Sequence, residues 1–209
     1  MPDFQTLAII TPVILLALTA HEFSHAWMAN RLGDDTAARA GRLSFNPFRH
    51  LDLFGTLVLL ITQFIGWAKP VPVEPRNFRY PVRDMSLVAL AGPLANLSLA
   101  VIIALAFRLE ILQNILSLMP NYFAWPLYKM LFMGFLINLG LCLFNLIPLP
   151  PLDGFSVLAY FLPQRLAWRV RQLNWLGFIL LIILMATGAI NLVIDPVFNF
   201  FTSFVLGIK

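Results

Sequence analysis

Four apolar stretches constrain this chain more than anything else in it. They cover about residues 4–28, 86–107, 126–148 and 174–194, and each is long enough to cross a bilayer core of about 30 Å, which takes roughly 20 helical residues. In hydrocarbon a backbone must satisfy its own hydrogen bonds, so each stretch is predicted to be an α-helix. Composition agrees. Of the 209 residues 60% are hydrophobic and 11% charged, against roughly 45–50% and about 25% in soluble domains. The expected architecture is an all-α polytopic membrane protein with about four full transmembrane helices, one domain over 1–209. A fifth apolar stretch, Leu53 to Trp67, holds Gly55, Gln63 and Gly66. Its apolar part would extend only about 20 Å as a helix, so a re-entrant or short membrane segment is expected there.

Most of the fourteen Lys and Arg residues sit between the apolar runs. That arrangement reports topology rather than a nucleic-acid surface, and no nucleic-acid partner is expected. If 53–67 does not cross, Arg31, Arg39, Arg42, Arg49, Lys69, Arg76, Arg79 and Arg83 share a side with Arg165, Arg169 and Arg171. Only Arg108, Lys129 and Lys209 then lie opposite, a division of eleven to three. If the segment crossed, the bias would largely vanish. The positive-inside rule therefore predicts a multi-pass protein of the cell (plasma or inner) membrane with both termini outside. Met1-Pro2-Asp3 lacks the basic start of a cleavable signal, so the first span is expected to remain in the mature protein.

Between the first two spans, Ala38–Phe45 partly alternates and Ala68–Pro75 is punctuated by prolines. A small β-hairpin or sheet at the membrane surface is expected from this pattern, with an edge able to receive an extended peptide. A solvated connector is the alternative. Residues 109–125 read as an interfacial helix and loop, and the Phe-rich tail 196–209 as lying along the outer interface. The lone Cys142 lies inside an apolar stretch, far in sequence from every histidine. It reads as a small buried hydrophobe, not a nucleophile.

The chemistry begins at His21-Glu22-Phe23-Ser24-His25, inside the first span. At 3.6 residues per turn His21 and His25 leave one face of a helix about a turn apart. Two imidazoles so placed can share a metal ion, with Glu22 able to reach water on it. Three ionisable groups at this depth are costly unless paired, metal-bound or hydrated. Hydrolytic zinc usually takes three protein ligands and keeps a fourth position open. Most other carboxylates sit in loops, but Asp153 follows Asn145-Leu146-Ile147-Pro148-Leu149-Pro150-Pro151-Leu152 and precedes Gly154. Prolines break a helix, and irregular backbone at membrane depth is tolerated where it lines a cavity. With the topology above, Asp153 ends on the same side as the histidines, near the cytoplasmic face. It is the favoured third ligand, with Asp52 and His50 as the alternatives.

These residues match a known pattern. His21-Glu22-x-x-His25, Gly92-Pro93-x-x-Asn96 and Asn145-x-x-Pro148-x-Pro150-x-Leu152-Asp153-Gly154 together resemble the site-2 protease family of intramembrane zinc metalloproteases. Asn46-Pro47-Phe48-Arg49-His50-Leu51-Asp52 and Gly66-Trp67-Ala68-Lys69-Pro70-Val71-Pro72-Val73 look like its compact prokaryotic branch, without a PDZ domain. Leu53 stands where members of that branch often carry proline. The resemblance implies one Zn2+ held by His21, His25 and Asp153, with Glu22 as general base. It implies that Asn96 and Asn145 orient the substrate backbone or reacting carbonyl, and that His50 lies near the active site, touching the oxyanion or supporting the ligands. The implied activity is hydrolysis of a peptide bond in or next to a transmembrane segment of a protein or peptide substrate, in contact with membrane lipid. The alternative is a transporter or metal carrier using buried His and Asp residues. That reading gives Glu22 no task between two histidines, and the sequence has no two-fold repeat. It carries no signal for an oligomeric state.

Overall fold

Helix follows hydropathy along most of the chain. A computed structural model describes residues 4–52, 54–55, 68–172 and 174–206. Its elements are α1 (Phe4–Arg31), a single turn α2 (Thr36–Arg39), α3 (Pro81–Arg108), α4 (Ile111–Ser117), α5 (Asn121–Asn145), α6 (Asp153–Phe161), α7 (Gln164–Gln172), α8 (Asn174–Ala186) and α9 (Asn191–Leu206). Helices α1, α3 and α5 hold 28, 28 and 25 residues and are long and apolar enough to cross a membrane.

Small side chains let these three helices close on one another. Ala17, Ala26 and Ala29 of α1 and Ala89, Ala91, Ala100 and Ala104 of α3 are all buried. Helices in lipid gain no hydrophobic drive from each other, so close backbone approach through small residues is what holds them. Towards the C-terminal end of α3, Phe107 packs with Leu112, Phe135 and Leu139, its ring edge-on to Tyr128 at 5.5 Å. Hydroxyls inside α1 are answered locally. Thr19 donates to the Leu15 carbonyl at 2.6 Å and Ser24 to that of Ala20 at 2.7 Å, which satisfies these two donors within the helix. Helix α3 starts on Pro81, and buried Asp84 accepts the Tyr80 amide at 3.0 Å and pairs with Arg83 at 2.8 Å.

Two expectations about the fold are corrected. The surface β-hairpin or sheet is absent: among the described residues the only β pairing is one antiparallel bridge, Leu51 with Ala68. Pro70, Pro72 and Pro75 have no amide hydrogen to give a ladder, and the Glu74 amide donates to Asp34 Oδ2 at 2.8 Å instead. Ala38 and Arg39, which open the other candidate strand region, belong instead to α2 (Thr36–Arg39). The count of full spans also changes. Three helices qualify, and a fourth only if α8 and α9, bent by 64° at their junction, are taken as one broken span. Gly188, at φ +71°, takes the left-handed conformation that ends a helix. Helix α8 alone, with 13 residues, extends about 20 Å. The segment expected to be re-entrant, 53–67, lies outside the described residues except for 54 and 55.

Candidate active site

Three elements meet at the C-terminal end of α5. Helix α1 brings His21, Glu22 and His25; α3 passes behind the imidazoles at Gly92; the break after α5 returns the chain so that Asp153 is the first residue of α6. A side chain at Gly92 would put its Cβ 2.4 Å from His25 Nε2, so only glycine allows α3 this close. At Gly154 a Cβ would lie 2.3 Å from the Leu146 carbonyl. Glycine there lets α6 fold back onto the end of α5, which carries Asp153 inward.

The three candidate ligand atoms converge. His21 Nε2 and His25 Nε2 stand 3.0 Å apart, and Asp153 Oδ2 lies 3.1 Å from the first and 3.3 Å from the second. Protonation decides what this cluster can do. His25 Nδ1 faces the Val88 carbonyl at 2.7 Å, an oxygen that can only accept, so Nδ1 carries the hydrogen and Nε2 a lone pair. His21 Nδ1 faces Asn96 Oδ1 at 2.6 Å and takes the same form. Three lone pairs therefore point at one spot with no hydrogen between them, and Asp153 Oδ2 is buried without a hydrogen-bond donor. Such a set is repulsive until a cation joins it. Ligands at about 2.0–2.1 Å on a tetrahedral zinc stand about 3.3–3.4 Å apart, close to the spacing seen, so the residues present fit the ion. Among the described residues this is the only group of His, Cys, Asp or Glu so arranged.

A cavity of about 340 Å³ opens on the cluster. Glu22, partly exposed, lines it beside His21, His25 and Asp153, and Asn145 joins them from the end of α5. Pro70, Val71 and Val73 of the extended segment contribute apolar wall. That segment is tied down by Asp34, which accepts from Thr36, Asn77 and the Glu74 amide.

The other predicted residues fall differently. Asn96 is fully buried; its amide donates to the Ala17 carbonyl at 3.0 Å and to Asn138 Oδ1 at 2.8 Å, while its oxygen meets His21. Asn145 donates to the Leu141 carbonyl at 3.0 Å. His50 is buried, gives its Nε2 hydrogen to the Ser44 carbonyl at 2.7 Å and does not line the cavity. Asp52 accepts the Gly55 amide at 2.7 Å and, like His50, stands outside the ligand cluster. Two buried polar residues outside the cavity lining escape a reading of the sequence. Arg42 is buried, donates to the Lys69 carbonyl and keeps Nε and Nη1 unpartnered. Burial pushes its guanidinium below the ordinary value, and the charge of Glu22 works against that. Asn138, an amide in the middle of an apolar span, is costly there without partners, which was a signal in plain view.

Apolar helices long enough to cross a bilayer, closed around a buried His-Glu-x-x-His pair and a carboxylate, define a membrane protein with a metal centre of hydrolytic type. Comparison with known proteins agrees. A sequence model described as Peptidase family M50 matches residues 9–187. Three relatives share the printed name "Putative zinc metalloprotease". YwhC of Bacillus subtilis is 39% identical over 187 residues, covering 89% of this chain and 84% of the relative. Rip2 of Mycolicibacterium smegmatis is 33% identical over 180 residues, 85% of this chain and 66% of the relative. MJ0611 of Methanocaldococcus jannaschii is 29% identical over 181 residues, 86% and 83%. No solved structure matches the chain significantly. The chain belongs to peptidase family M50, the site-2 proteases, and is an intramembrane zinc metalloprotease.

Proposed function

We propose that the chain hydrolyses a peptide bond in or next to a transmembrane segment of its substrate, with His21, His25 and Asp153 holding one Zn2+ and Glu22 acting as general base. When bound, the ion supplies Lewis acidity that polarises a carbonyl and acidifies water. Glu22, on the same cavity as the ligands, accepts the proton of the attacking water as its oxygen adds to the scissile carbonyl carbon. Glu22 then returns that proton to the amide nitrogen as the carbon–nitrogen bond breaks. Asn145, which also lines the cavity, offers its amide to the substrate backbone. Asn96 serves the reaction through His21, since its polar atoms are taken by protein partners. His50 braces the loop that carries Arg42, through the Ser44 carbonyl and through its own carbonyl to the Lys69 amide.

A transmembrane helix hides its amides in internal hydrogen bonds, so the substrate must be locally extended before attack. The apolar wall at Pro70, Val71 and Val73 suits such a segment. The division of basic residues supports a site near the cytoplasmic face of the cell membrane with the N-terminus outside; the C-terminus joins it there when α8 and α9 cross as one broken span.

One observation carries this reading: the Nε2 atoms of His21 and His25 and Oδ2 of Asp153 converge within 3.3 Å of one another, beside the Glu22 carboxylate on one cavity. The test is Glu22→Gln. The variant is expected to fold and bind zinc as the parent does, while cleavage of a single-span membrane substrate falls about 10²–10⁴-fold. Comparing membrane proteomes of cells carrying the parent and the variant identifies substrates as single-span fragments that accumulate. Cleavage at the parental rate by Glu22→Gln refutes the assignment of the base.

A further inference from the structure

We propose that Asn138 is a positioning residue for the metal site: acting through Asn96, it sets the tautomer of His21. The inference rests on His21 being a zinc ligand, as argued above, and goes beyond it by assigning a residue on α5 that touches no ligand.

Two backbone carbonyls, of Gly134 and Ala17, fix where the hydrogens lie. Asn138 is buried, 4% exposed, and donates to the Gly134 carbonyl of its own helix at 2.8 Å. A backbone carbonyl only accepts, so the Asn138 amide nitrogen must face Gly134, and its oxygen is left towards Asn96. Asn96 Nδ2 fills that position at 2.8 Å and gives its second hydrogen to the Ala17 carbonyl at 3.0 Å. Asn96 is then compelled to turn Oδ1 to His21 Nδ1, at 2.6 Å. The imidazole must hold its hydrogen on Nδ1 and keep Nε2 free for the metal. Polarity runs one way from α5 through α3 to α1, because reversing any member sets donor against donor or acceptor against acceptor. No water replaces a missing partner at Asn96, which is 0% exposed.

Without Asn138, Asn96 keeps one anchor, Ala17, and its flipped state becomes accessible. In that state an N–H faces His21 Nδ1 and drives the hydrogen to Nε2, where it competes with the metal. His25 is an internal reference, because the Val88 carbonyl fixes its tautomer with no help from this chain of amides.

The test is Asn138→Leu, which keeps the side chain's size and removes its polar atoms, measured in two ways on purified protein in detergent. Zinc affinity, from competition with a chelator, is expected to fall about 10–100-fold, the usual cost of removing a partner behind a ligand. The 15N imidazole spectrum of zinc-free protein should show His21 leaving the Nδ1–H form while His25 keeps it. Asn138→Asp should restore the His21 tautomer, since a neutral carboxyl can donate to Gly134 and accept from Asn96. Unchanged affinity and an unchanged His21 tautomer in Asn138→Leu overturn the proposal. So does a shift of both histidines together, the mark of general loosening. His21→Ala separates the two levels: parental zinc affinity in that variant overturns the ligand assignment itself.

Discussion

Replacing Gly92 by alanine tests the site at its tightest point. The added methyl would lie 2.4 Å from His25 Nε2, 2.6 Å from His25 Cε1 and 2.7 Å from His21 Cε1. Ordinary contact between such atoms begins near roughly 3.5 Å, so the rings or α3 must yield by about 1 Å. Neither ring swings freely, because Asn96 holds His21 Nδ1 at 2.6 Å and Val88 holds His25 Nδ1 at 2.7 Å. Zinc ligation tolerates about 0.2 Å. Overpacking costs the fold about 1–3 kcal/mol, offset by the roughly 0.5–1 kcal/mol that alanine gains over glycine within a helix. The effects therefore separate. The zinc-free protein stays folded, while zinc affinity falls about 100-fold or more, some 2.7 kcal/mol. Chelator competition on detergent-purified protein reads the affinity, and circular dichroism melting of the zinc-free form reads the fold. Gly140→Ala is the control, since a methyl there meets nothing within 4 Å, and it should behave as the parent. Parental zinc affinity in Gly92→Ala would refute the packing of α3 against the histidines.

Two further outcomes follow from groups outside the ligand cluster. Burial alone would raise the Asp34 carboxyl, but the Thr36 hydroxyl, the Asn77 amide and the Glu74 and Thr36 backbone amides hold it below its ordinary value. A depressed carboxylate adds stability that is fully present above its unfolded value of about 3.9 and is lost as pH falls through the folded one; melting between pH 5 and 3 should show this slope, and Asp34→Asn should lack it. Cys142 is buried and does not line the cavity, so Cys142→Ala should keep full proteolysis while losing about 1 kcal/mol of stability; loss of cleavage would mean that the thiol has a task.

Much of the candidate site was legible in residue order because its chemistry is local. His21 and His25 share a face by helical period alone, and the proline run before Asp153 forces a break wherever it sits. The surface sheet failed for an equally local reason that alternation outweighed: three prolines in 70–75 remove ladder donors. The break at Gly188 escaped because hydropathy sums over residues and does not register one left-handed glycine.

Residue order by itself determined the membrane class, the three long spans, the paired histidines and the break that frees Asp153, since each follows from hydropathy, period or the missing amide of proline. Only the tertiary structure decided that Gly92 backs the imidazoles, that Asn96 turns to His21 instead of standing in the cavity, and that Asn138 stands behind Asn96. Those relations join residues 42 to 79 positions apart, and at such separations helix packing sets who meets whom.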